Sequence, residues 1–139
     1  MTALPPREDR LRFAEFALDR LPNGRCRARV ALTWKDTERY EGLSEGLASQ
    51  NGELRCAAEA TVQALEGAVH RTLTFELLGV KAVRAFDATV VIVSLSVNGD
   101  GRTQRVVGSY LTDDDFARGS ALAVLHATNR ILGNRFQTR

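Results

Sequence analysis

The chain has 139 residues, 44% of them hydrophobic and 26% charged, which suits one globular domain and excludes a disordered or collagen-like chain. Its 19 basic and 17 acidic residues leave a formal charge of +2, and that balance gives no reason to expect nucleic acid or an anionic membrane as partner. No apolar run approaches the roughly 18 residues of a membrane span, and Met1–Asp9 carries no apolar stretch of signal-peptide length, so a cytoplasmic location is expected.

Residues 1–9 read as a loosely ordered tail, and one α+β domain is expected over 10–132. Leu11–Phe16 opens a first strand. Arg25–Trp34 then pairs with Arg39–Ala48 across a turn at Lys35–Glu38. A helix follows over about Glu53–Val69, with Leu54, Ala57, Ala58, Val62 and Leu65 on its inner face at helical spacing. Thr72–Ala82 alternates as a strand, and Thr89–Val97 is the strongest strand of the sequence, β-branched and apolar. Asn98–Gly101 is a hairpin signal, because Gly, Asn and Asp tolerate the positive φ of tight turns. Arg102–Leu111 returns as its partner. Thr112–Asp115 supplies a cap and carboxylates for a helix over Phe116–Leu132, whose inner face carries Ala117, Ala121, Val124, Thr128 and Ile131. Gly133 is read as its stop, with 133–139 as a tail.

Self-similarity organises these elements. Leu11–Phe16 matches Leu73–Leu77, Val30–Trp34 matches Val93–Val97, and Ala57–Ala64 matches Ser120–Ala127, all at an offset of about 62–63 residues. The fold expected is an internal duplication of a β-β-β-α unit, about 10–70 and 71–132, with pseudo-twofold symmetry and two helices packed on antiparallel sheets. Val90, Ile92 and Leu95 cannot all face one helix, so a second layer must cover part of the sheet. Either the other repeat or a second chain supplies it, and a homodimer is the preferred cover.

Catalytic chemistry is scarce. Cys26 and Cys56 form no CxxC, and with His70 and His126 they share no metal-ligand spacing, so they read as reduced, buried or half-buried thiols. Neither histidine has an evident nucleophile or orienting carboxylate beside it. Asp113–Asp115 could hold a divalent cation but reads first as a cap and a solvated cluster. Trp34 and Tyr40 flank the first hairpin as core or interface aromatics. No catalytic residue, metal or cofactor is expected.

The repeat, together with Ala123–Arg130, resembles the C-terminal regulatory domain of α-isopropylmalate synthase. The resemblance covers about Arg10–Leu132, and Asp115, Ser120, Ala123, Ala127, Asn129 and Arg130 stand at matching positions, with Val124 and Gly119 replacing the family's Tyr and Ala. It implies two β-β-β-α units, a dimer, and an effector site in the loops before the helices, where the family binds leucine. In those stretches the family's alternating glycines are largely replaced, by Gly46–Gly52 and Gly108–Asp113 here. The expected function is a free-standing, non-enzymatic regulatory domain, a homodimer that senses an amino acid or another carboxylate metabolite. Free N–H groups at helix N-termini suit an anion, and the candidate contacts are Ser49, Gln50, Asn51, Tyr110, Thr112 and Asp113. The alternative is a protein–protein assembly module without a small ligand.

Overall fold

A computed structural model describes residues 11–35 and 37–137, with backbone alone for 133–137. The tail expected at 1–9 lies outside the described residues. Strands β1 (Leu11–Leu21), β2 (Arg25–Trp34) and β3 (Glu38–Leu47) form one antiparallel sheet, sheet A, and helix α1 (Gln50–Ala68) follows. Strands β4 (Thr74–Ala85), β5 (Ala88–Gly99) and β6 (Arg102–Thr112) form sheet B, followed by α2 (Phe116–Gln137). The architecture is α+β, and the order β-β-β-α occurs twice.

Alternation decides which way each sheet faces. Along β5, Val91, Val93, Leu95 and Val97 point inward and are buried, while Val90, Ile92, Ser94 and Ser96 face outward and are half-buried. In β2, Cys26, Ala28, Val30, Leu32 and Trp34 point inward between outward arginines. Helix α1 lies on β2 and β3, touches α2 and reaches β4; α2 lies on β5 and β6 and reaches β1. The inner faces of both sheets and both helices therefore share one core. Ser120 ties the helices directly, donating a buried hydrogen bond of 2.8 Å to the carbonyl of Leu54.

Two glycines set how closely helix meets strand. Gly42, opposite Val30 on β3, lies so near α1 that a Cβ there would overlap the carbonyl of Ala60. Gly108, opposite Val93 on β6, lies the same way against Ala123 and Ala127. Alanines on the helix and glycine on the strand let backbone approach backbone, so dispersion contact replaces bulky side chains. Beside each glycine the helix also satisfies the sheet edge: Gln63 Oε1 accepts the N–H of Leu43 at 3.1 Å, and His126 Nδ1 accepts that of Ser109 at 3.2 Å.

The register corrects one part of the sequence reading. Leu11 pairs with Trp34 and Phe75 with Val97, so Leu11 corresponds to Phe75 rather than to Leu73. Bulges fall at equivalent places, between Phe13 and Glu15 and between Leu77 and Gly79. A slip of two residues keeps every side chain on its own face, so alternation alone does not reveal it. The helices also differ from expectation. The first starts at Gln50, because Ser49 caps it, and the second continues past Gly133 to Gln137. A glycine lowers helix propensity by about 1 kcal/mol without itself ending a helix.

Gly42→Ala and Gly108→Ala should each cost about 1–3 kcal/mol or more in urea unfolding, because the added methyl forces helix and strand apart. Gly79→Ala, where a Cβ meets nothing within 4 Å, should leave stability unchanged or slightly raised.

Candidate functional site

The first corner joins β3 to α1. Ala48 donates its N–H to the Gly24 carbonyl at 2.8 Å, which fastens the corner to the β1–β2 turn. Ser49 is the N-cap, its hydroxyl accepting from the Gly52 N–H at 3.0 Å. A side chain at Gly52 would overlap the Leu47 carbonyl, so only glycine lets the first turn close on the end of β3. Gln50 and Asn51 are exposed and belong to that first turn rather than to a loop before it.

One group at this corner was not singled out from the sequence. Glu53 Oε2 is buried and has no hydrogen-bond partner; the Arg20 guanidinium stands 3.6 Å away, just too far for a hydrogen bond. A carboxylate in the first turn is favoured by the helix dipole, which explains its place but leaves its oxygen unsatisfied. The signal available in the sequence was Ser49 followed by Glu within the first turn, which reads as ordinary capping.

Beneath the corner lie the two cysteines, both buried and unbridged, as expected of reduced thiols. Cys26 Sγ sits 3.3 Å from the Leu47 carbonyl oxygen and 3.6 Å from Cys56 Sγ. Burial, followed by the contact with Cys26, pushes the Cys56 thiol up to about 12. Such a thiol is a packing group rather than a nucleophile, since the thiolate is the reactive form.

The second corner joins β6 to α2. Asp115 caps α2, its carboxylate accepting from the Arg118 N–H at 3.1 Å. Thr112 Oγ1 lies 3.4 Å from the Asp115 carbonyl oxygen, and its methyl sits beneath Gly119. Asp113 is exposed, as is Tyr110 on the end of β6. The structure thus sorts the six candidates into two groups of three. The hydrogen bond between the helices uses Ser120 and Leu54, none of the six.

The histidines have local roles. His126 accepts the β6 edge N–H, and His70, at φ 52°, meets the Tyr40 ring edge-on with centroids 6.2 Å apart. Tyr40 in turn donates to Glu38 Oε2 at 3.0 Å. Among the described residues no three of His, Cys, Asp and Glu are grouped to hold a metal ion, and no helix is long and apolar enough to cross a membrane.

The chain is thus an α+β protein of two antiparallel three-stranded sheets and two helices, with a capped helix start at each of two corners. No protein-family model matches its sequence, and no curated protein does.

Ser49→Ala and Asp115→Ala should each destabilise the protein by about 1 kcal/mol, the usual cost of losing an N-cap. Thr112→Ala with Asp113→Ala should cost less in chemical denaturation, because the Asp115 cap remains.

Proposed function

We propose that the chain is a non-catalytic regulatory domain of the cytoplasm that binds a small metabolite as a homodimer, in the manner of the C-terminal regulatory domain of α-isopropylmalate synthase. The observation that carries this reading is the buried, unsatisfied Glu53 carboxylate oxygen beside the capped start of α1. The Arg20 guanidinium pairs with this oxygen at 3.6 Å without hydrogen-bonding it, and a buried acceptor without a hydrogen bond costs free energy that a closer donor would recover. The ammonium of an amino acid supplies that donor, and the exposed side chains of Gln50 and Asn51 lie next to it in sequence. Ser49 completes this corner, while Tyr110, Thr112 and Asp113 offer a second contact set at the other. The ligand class is an amino acid or a related carboxylate metabolite.

A second reading, a protein–protein assembly module with no small ligand, is favoured by the exposed apolar residues Val107 and Leu111 on sheet B.

Thermal unfolding against a panel of amino acids and central metabolites separates the two. A ligand at a hundred times its Kd stabilises by about 2.7 kcal/mol, which raises Tm by roughly 5–10 °C. The sensing account predicts such a shift for an amino acid, lost in Glu53→Gln for binding at the first corner and in the Thr112→Ala, Asp113→Ala double variant for binding at the second. Binding that survives the double variant rules out the second corner. No shift across the panel favours the assembly module.

A further inference from the structure

The two sheets close their outer faces differently. On sheet A charge pairs cross much of the face, Arg27 donating to Glu45 at 3.1 Å and Arg39 bonding both Glu15 and Glu41, with the exposed Leu43 and Leu47 between and beyond them on β3. On sheet B the corresponding face is apolar toward one end. Val83, Val90 and Leu111 lie side by side across the three strands, with Ile92 in the next row, between Lys81 and Ser109, and Val107 in the row beyond. Leu111 is 60% and Val107 63% exposed. Phe86, 98% exposed at φ 53°, marks the hairpin tip at the same end.

The register shows what fits this face. Moving along sheet B, the outward rows are Thr74–Asn98–Thr103, Glu76–Ser96–Arg105, Gly79–Ser94–Val107, Lys81–Ile92–Ser109 and Val83–Val90–Leu111. A twofold axis parallel to β5 exchanges the two outer columns and keeps each row. Glu76 then faces Arg105 of the partner subunit twice over, Val83 faces the partner's Leu111, and Val90 and Ile92 meet their own copies. The Ser94 hydroxyl, buried with no hydrogen-bond partner, stands on that axis. The same operation on sheet A sets Asp19 against the partner's Glu45, Glu15 against the partner's Glu41, and Arg12 against the partner's Arg39, between apolar rows that set Ala17 against the partner's Leu43 and Leu21 against the partner's Leu47. The outer-column charges that this operation brings together are opposite on sheet B and alike on sheet A.

We propose that two copies of this chain associate through the outer faces of β4, β5 and β6, about a twofold axis along β5. The proposal rests on the homodimer in the reading above and names its seam. Face-packed sheets stand about 10 Å apart with strands nearly aligned, a separation that Glu and Arg side chains span together. An isologous contact of this kind closes on itself and leaves sheet A solvated.

Sedimentation equilibrium of the full chain tests it. The wild type should sediment at twice the 15.3 kDa of one chain. Val107→Asp and Leu111→Asp, both at exposed positions, should give monomers that still unfold cooperatively. Glu76→Arg should weaken the dimer by about tenfold or more in Kd, since it sets like charges across the seam. Adding Arg105→Glu should restore it, because the swapped pair is again opposite in charge across the seam. A wild type that is monomeric at every concentration overturns the proposal, as does a dimer indifferent to Val107→Asp and Leu111→Asp. A monomer that still gains Tm with an amino acid would sink the seam and spare the sensing reading; a dimer with no metabolite response would do the reverse.

Discussion

The approach of each helix to the last strand of its sheet is the constraint on which the other features rest. Gly42 against Ala60, and Gly108 against Ala123 and Ala127, bring backbones closer than any larger pair of residues allows. Because the helices sit so low, each also reaches the edge strand of the other sheet, and the two halves share a single core. The edge acceptors Gln63 and His126 follow from the same closeness, since their side chains must reach the N–H groups of Leu43 and Ser109. Small residues lose burial area per side chain but gain contact density, which is how an alanine-rich helix becomes a core element.

With both helices committed to the inner faces, nothing inside the described chain covers the outer ones. Sheet A answers with cross-strand charge pairs, each weak at the surface but together sufficient to keep arginine and glutamate rows solvated. Its Arg39 guanidinium is held above its ordinary pKa, first by the hydrogen bond it donates to Glu15 and then by the one it donates to Glu41. Sheet B has valine, isoleucine and leucine at comparable places, and that asymmetry between otherwise similar halves is where function is best sought. The two corners are less exceptional. Ser49 and Asp115 satisfy helix termini that would otherwise attract an anion, so the remaining chemical demand at the first corner is that of Glu53 for a donor.

Much of the fold was legible because periodicity of two or three to four residues reports burial directly. Arg25–Trp34 coincides with β2, and the Asn98–Gly101 signal contains the Asp100–Gly101 turn, where both residues have positive φ, although Asn98 and Gly99 still pair within β5 and β6. The inner residues of both helices followed from the same spacing. What escaped was information that periodicity does not carry. A two-residue slip between β1 and β4 is silent because alternation survives it. Composition puts the start of α1 at Glu53, three residues late, because Gln50 and Asn51 are turn-favouring residues whose place in the first turn depends on the Ser49 cap. Glu53 escaped for another reason, since whether a carboxylate is solvated or buried depends on Arg20 and the corner around it, far away in sequence. Of the six candidate contacts, expected in the loops before the two helices, Gln50 and Asn51 lie inside α1 and Tyr110 and Thr112 on β6, because both elements run further than the turn-like composition of these stretches suggests.

The central claim, that the shared helix pair makes both halves one cooperative unit, is tested most directly by native-state hydrogen exchange resolved by residue. The account predicts that the slowest amides of β2, α1, β5 and α2 exchange through one common opening, at the free energy of global unfolding. If β1–β3 with α1 instead open at a distinctly lower free energy than β4–β6 with α2, the halves are separate folding units and the account is wrong.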